Sequence, residues 1–325
     1  MALAILVTLL GLVALGWSAD KFVAGASAVA SHLGMAPLLV GMLVVGFGTS
    51  APELVVSAFA AAGGNPEIAL GNALGSNIAN IGLILGVTAL LVPIVVHRGV
   101  LRRELPVLLL VTLVLVGTML DGETSRLDAA VLLLVLVAQL AWSIRTGRRE
   151  AVTVPADELA VEIEERELER AMSRRAAWGW TLGGILLLVA SSRVLVWGAV
   201  GIAERLGWSD LVIGLTVVAI GTSAPELAAA VVAARKGATE LVLGNVIGSN
   251  IFNTLAVVGL AGLIAPSVND PSALTRDIPV LVGMTLALVV MGYHRHRDGR
   301  INRVEGAVLL AAWIGYTVLL LTTAS

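Results

Sequence analysis

Cysteine is missing from this sequence altogether, which rules out disulfide staples and thiolate metal centres while leaving the compartment open. Charge is scarce too. Only 14% of the 325 residues are Asp, Glu, Lys or Arg, and a net charge of −2 offers no basic surface for nucleic acid. The four histidines, His32, His97, His294 and His296, all fall in predicted loops, which argues against a buried imidazole proton relay or zinc site. The one polar stretch, Arg145–Arg175, is too short for a separate folded domain. It reads as a solvated linker, with a short surface helix over 156–170 where Glu162 and Arg166 pair at i, i+4. Apolar residues fill the rest: 58% of the chain is hydrophobic and the mean hydropathy is +0.94. Such a composition belongs to an integral membrane protein.

The chain contains a strict internal repeat. Residues 46–80 return at 219–253, an offset of 173 without insertion. Both copies read Gly-Thr-Ser-Ala-Pro-Glu-Leu (48–54 and 221–227), followed by Gly-Asn-x-x-Gly-Ser-Asn-Ile-x-Asn (71–80 and 244–253). Each copy puts a glutamate, Glu53 or Glu226, inside an apolar run long enough to cross a bilayer. An acid at that depth costs about 3 kcal/mol or more and marks a functional site by default. Two acids related by a repeat point to one shared site.

On a continuous helix, Gly46, Thr49, Ser50 and Glu53 share one face, and Ala219, Thr222, Ser223 and Glu226 repeat it. Pro52 and Pro225 cannot donate to the carbonyls of Gly48 and Gly221, so backbone oxygens are freed beside hydroxyls and a carboxylate. An all-oxygen set suits hard cations such as Ca²⁺ or Na⁺, and broken helices at the membrane midplane are one way to build it. The same letters also spell a capping box, with Ser50 as N-cap and Glu53 three residues on. In the second half of the motif, Asn72, Ser76 and Asn80 lie four apart on one face, as do Asn245, Ser249 and Asn253. Interhelical hydrogen bonding is the alternative role for such residues.

These two motifs, in register, resemble the α-repeats of bacterial calcium/sodium antiporters of the cation/calcium exchanger superfamily, and the likeness covers essentially the whole chain. The resemblance implies ten transmembrane helices around a central cation site open alternately to either side. It implies Glu53 and Glu226 as principal ligands for Ca²⁺ and Na⁺, with Thr49 and Thr222 beside them. Ser50, Ser223, Ser76 and Ser249 would line sodium positions, completed by the carbonyls of Gly46 and Ala219. Asn80 matches its family position, while Asn253 stands where some relatives carry Asp. The exchange it implies is Na⁺ against Ca²⁺, with no cofactor. The alternative is H⁺/Ca²⁺ antiport, whose members resemble Gly-Asn-x-x-Glu in the second motif; here Gly75 and Gly248 stand where that acid is wanted. A hydrolase based on Ser50 or Ser223 lacks a histidine or lysine to activate the serine.

Windows of about 20 apolar residues place ten segments: 2–30, 37–62, 67–92, 104–120, 127–144, 177–204, 210–234, 240–264, 278–292 and 304–322. Five helices per repeat is an odd number, so the second repeat enters the membrane upside down, the inverted-repeat architecture of secondary transporters. The expected organisation is thus an all-α integral membrane protein, probed as three parts: a first repeat at 1–144, a cytoplasmic linker at 145–176, and a second repeat at 177–325. The first run has no basic leader or cleavage signature and reads as a retained helix. Trp17, Trp142, Trp178, Trp180 and Trp208 are expected near helix ends. Of the 21 Lys and Arg, 16 fall in the loops after segments three, five, seven and nine, and three, Arg126, Arg205 and Arg276, in the opposite loops. That bias puts both termini outside, periplasmic in a bacterial inner membrane. Lys21 and Arg193 lie within segments; Arg193 occupies the place equivalent to Asp20, and snorkelling or structural pairing accounts for these charges. The lipid bilayer and the transported ions are the expected partners of a monomer.

Overall fold

Glycine and proline punctuate the helices at matching points of the two repeats. The computed structural model describes residues 1–97, 99–150, 172–207, 219–292 and 298–323; the surface helix expected at 156–170 lies outside the described residues. Helix α1 (Ala2–Leu33) stops where Gly34 turns left-handed with φ 62°, and Pro37 opens α2 (Pro37–Ala62). The next turn uses Gly64, with φ 84°, before Pro66 opens α3 (Pro66–Leu91). Gly207 and Gly237, the counterparts of Gly34 and Gly64, take φ 80° and 78°.

After strand β1 (Ile94–Val96) come helix α4 (100–119), β2 (Glu123–Thr124) and α5 (Arg126–Glu150). The second half holds α6 (Arg174–Arg205), α7 (Ala219–Thr222), α8 (Ala224–Arg235), α9 (Thr239–Ile264), β3 (Ser267–Val268), α10 (Ala273–Gly292), β4 (Gly299–Ile301) and α11 (Arg303–Thr323). The strands form two small antiparallel ribbons, β1 with β4 and β2 with β3. They stand at opposite ends of α4, the helix that joins β1 to β2.

Among the described residues, 8 helices are long and apolar enough to cross a membrane: α1, α2, α3, α5, α6, α9, α10 and α11. The expected segment 104–120 is helical as part of α4. The expected segment 210–234 falls partly outside the described residues, and its remainder is α7 and α8. Large apolar side chains such as Leu9, Val13, Leu127 and Leu186 point outward, which a water-facing surface would not sustain and lipid accepts. The helices that carry the motifs are the central ones. In α9 and α3, 83% and 72% of the spanning window is buried, against 17% in α5 and α11.

Helices α1 and α6 lie backbone to backbone. A Cβ on Gly11 would come within 2.6 Å of Leu195 N, and one on Gly184 within 2.7 Å of Phe22 Cβ. Advancing each partner of the first contact by one repeat, or taking it back by one, gives the second, and the same operation exchanges Gly25 on Thr181 with Gly198 on Thr8. The contacts run antiparallel, and Ser18 Oγ meets Ser191 Oγ, its own counterpart 173 residues away, at 3.3 Å. Small residues thus bring the repeats together at backbone distance. Trp17, expected near a helix end, instead sits midway along α1, where its ring meets Trp180 edge-on at 5.9 Å.

Candidate cation site

Helix α2 widens into a π turn over Gly41–Gly46 immediately before the first motif. The helix then continues through Pro52 and presents Thr49, Ser50 and Glu53 to the interior. The second motif behaves differently. Helix α7 ends at Thr222, Ser223 adopts φ −87° and ψ 3°, and α8 starts at Ala224 with Pro225 in its first turn. The Gly221 carbonyl, deprived of the N–H that Pro225 lacks, accepts the Ser192 hydroxyl at 2.7 Å. Neither Ser50 nor Ser223 caps a helix through its side chain, so the capping-box reading is not realised.

The second halves of the motifs, on α3 and α9, hold the first halves in place. Asn72 Nδ2 donates to the Glu53 carbonyl at 3.4 Å, and Asn245 Nδ2 donates to the Glu226 carbonyl at 3.4 Å. The same bond in both repeats fixes the backbone of each glutamate without using its carboxylate. Other bonds cross between repeats: Thr49 Oγ1 to Asn245 Oδ1 at 3.2 Å, Ser249 Oγ to the Gly46 carbonyl at 3.3 Å, Asn80 Nδ2 to Asn250 Oδ1 at 3.0 Å, and Asn77 Nδ2 to Thr254 Oγ1 at 2.8 Å. Close backbone approach permits them. A Cβ on Gly46 would come within 2.8 Å of Ser249 N, and one on Gly248 within 2.5 Å of Met42 O.

Both carboxylates are buried, Glu53 at 4% exposure and Glu226 at 2%. Glu53 Oε2 and Glu226 Oε2 have no hydrogen-bond partner, nor do Ser50 Oγ, Asn77 Oδ1 and Asn253 Oδ1. Among the described residues nine buried side-chain atoms are unpartnered in this way, and these five oxygens belong to the two motifs. Native interiors rarely leave such atoms unsatisfied, and a buried charge without a partner is costly. The chemistry that satisfies several buried oxygens of this kind, two of them anionic, is a hard cation. Among the described residues no three of His, Cys, Asp and Glu gather into a further metal cluster.

The structure buries Thr49, Ser50, Glu53, Ser76, Asn80, Ser223, Glu226, Ser249 and Asn253 together with Gly46. Thr222, the counterpart of Thr49, is exposed and lines a cavity of about 90 Å³ with Glu53, Asn72, Ser192, Arg193 and Pro225. Ala219 is the first residue of α7. Asn80 and Asn253 each begin a π turn, Asn80–Leu85 and Asn253–Val257. Sequence reading missed these wide turns, which recur at functional sites, and missed Ser192 and Arg193 as cavity residues. A charge inside an apolar segment was the available signal for Arg193.

The profile of the sodium/calcium exchanger proteins matches residues 3–145 and 176–322. The chain belongs to the sodium/calcium exchanger family. Its similarity to the proposed antiporter CaxA of Alkalimonas amylolytica is 46% identity, over 99% of this chain and 100% of the relative. The sodium/calcium exchanger MaX1 of Methanosarcina acetivorans is 33% identical over 97% of each chain. The Ca²⁺/H⁺ antiporter ChaA of Bacillus subtilis is 28% identical over 88% of this chain and 87% of its own. A solved structure of the sodium-calcium exchanger NCX_Mj, soaked without Na⁺ and Ca²⁺, superposes with a TM-score of 0.83 at 32% identity, covering 98% of this chain and 99% of that one. This sodium/calcium exchanger family member is therefore a membrane transporter and not an enzyme, and its ions are substrates with no cofactor.

Proposed function

We propose that the chain exchanges Na⁺ for Ca²⁺ across a membrane by alternating access, with Glu53 and Glu226 as ligands shared by both ions. The observation that carries this reading is the pair of buried, unpartnered carboxylate oxygens, one from each repeat, among neutral oxygen donors. Ca²⁺ neutralises the pair and takes up the remaining oxygen valences. Thr49 and Thr222 are the neighbouring ligands. Ser50, Ser223, Ser76, Ser249, Asn80 and Asn253, with the carbonyls of Gly46 and Ala219, supply the neutral positions that several Na⁺ need. Because the same two acids serve both ions, Ca²⁺ and a full set of Na⁺ exclude each other, and exclusion at a shared site is what couples their fluxes.

The architecture that fits is ten crossings in two inverted five-helix repeats. The exchange of contacts between α1 and α6, the repeated turns at Gly34 and Gly207, and the ribbons at the two ends of α4 all support it. The Lys and Arg bias supports termini on the outer side of a bacterial inner membrane. The cavity reaching Glu53 then opens toward that side. Its wall includes Val56, which follows Glu53 on the way to the Gly64 turn, and Val196, which leads to the end of α6.

Proton coupling is the second reading, favoured by the similarity to ChaA. The absence of an acid at Gly75 and Gly248 weighs against it. Reconstituted liposomes decide between the two. An outwardly directed Na⁺ gradient at uniform pH is expected to drive Ca²⁺ uptake, and a pH gradient without Na⁺ is expected not to. Uptake driven by the pH gradient alone overturns sodium coupling.

A further inference from the structure

Asp20 and Arg193 hold equivalent places in the two repeats, yet their surroundings differ. Asp20 is held by Lys236 Nζ at 2.7 Å and by Lys21 Nζ at 3.8 Å, as structural pairing requires. Among the described residues Arg193 makes no ion pair, so of the two expected accounts, snorkelling or pairing, pairing applies to Asp20 and not to Arg193. The Arg193 side chain instead lines the cavity that contains Glu53, and these two are the charged residues of its wall. The position of Arg193 is not left to a loose helix, since the adjacent Ser192 hydroxyl is bonded to the Gly221 carbonyl at 2.7 Å. That bond anchors this turn of α6 to the second motif.

A cation that reaches Glu53 through this cavity passes Arg193. We propose that Arg193 is a specificity-determining residue of the passage, a fixed positive charge that opposes Ca²⁺ twice as strongly as Na⁺. The proposal rests on the two-carboxylate site argued above. Coulomb energy scales with ionic charge, so at equal distance any change in Ca²⁺ affinity is matched, per Na⁺ ion, by its square root. The consequence is directional. Ca²⁺ leaves more readily to the side where the cavity opens than the two carboxylates alone would allow.

The test reads apparent affinities from that side in proteoliposomes. Arg193→Gln is expected to lower the KM for Ca²⁺ by about tenfold and the half-saturating Na⁺ concentration by about threefold, whereas Arg193→Lys stays near wild type. The chain has no cysteine, so Arg193→Cys offers a unique thiol on one folded preparation. A cationic methanethiosulfonate is expected to return the Ca²⁺ KM toward wild type, a neutral reagent to leave it low, and an anionic one to lower it further. A KM that ignores the sign of the added charge, while exchange still depends on Glu53 and Glu226, overturns the role of Arg193 alone. Normal exchange in Glu53→Gln overturns the site reading and this proposal with it.

Discussion

Glu53→Gln and Glu226→Gln are each expected to abolish Ca²⁺ transport while leaving the protein folded. Glutamine nearly preserves the shape of the side chain and removes one of the two anionic ligands, and Ca²⁺ affinity follows ligand charge. Breaking a buried set of charges by removing one partner costs about 3–5 kcal/mol, which corresponds to a loss of roughly a hundredfold or more. The effect on stability has the opposite sign. Glu53 Oε2 and Glu226 Oε2 are buried without hydrogen-bond partners, so a neutral amide relieves a desolvation cost there whenever no cation is bound. The ion-free variants should melt at or above the wild-type temperature, and added Ca²⁺ should no longer raise it. Isotopic Ca²⁺ uptake together with thermal unfolding in detergent checks both halves. Near-native exchange by either variant would remove the carboxylate pair from the mechanism.

The second large effect concerns charge movement. With Glu53 and Glu226 both ionised, one Ca²⁺ leaves the site neutral, whereas three Na⁺, the number implied by the resemblance to the exchanger superfamily, leave it with one positive charge. Exchange is then electrogenic. Each net charge carried across the membrane is worth about 2.3 kcal/mol per 100 mV, enough to bias the exchange equilibrium by roughly fiftyfold. In liposomes with a clamped potential, Ca²⁺ uptake should accelerate when the Na⁺-receiving side is made negative. Uptake that ignores the potential favours two Na⁺ per Ca²⁺ instead.

The helices and the burial of the motif residues were largely legible because the constraints are written into residue types. An apolar run of bilayer length is helical by necessity, and a glutamate inside one has few explanations. The duplicated letters at 46–80 and 219–253 also placed the buried oxygens correctly on α2, α3, α8 and α9. Three features were not legible. The π turns beginning at Asn80 and Asn253 insert an extra residue into a helical turn, and no side chain marks that insertion. The cross-repeat bonds, such as Asn80 to Asn250 and Asn77 to Thr254, depend on how two helices meet, which local spacing does not specify. The different surroundings of Thr49 and Thr222 arise because the cavity beside Glu53 opens on one side, so equivalent residues cannot share one environment. Arg193 belongs to the same class: its identity was visible, but its cavity was not.

The central claim is a single cation site built jointly by the two repeats, and counting bound Ca²⁺ tests it most directly. Equilibrium titration of the purified protein in Na⁺-free buffer should give one Ca²⁺ per chain, displaced by Na⁺ and lost in both Glu53→Gln and Glu226→Gln. Two independent Ca²⁺ per chain, with each variant retaining one, would mean that each repeat holds its own ion and would contradict the account.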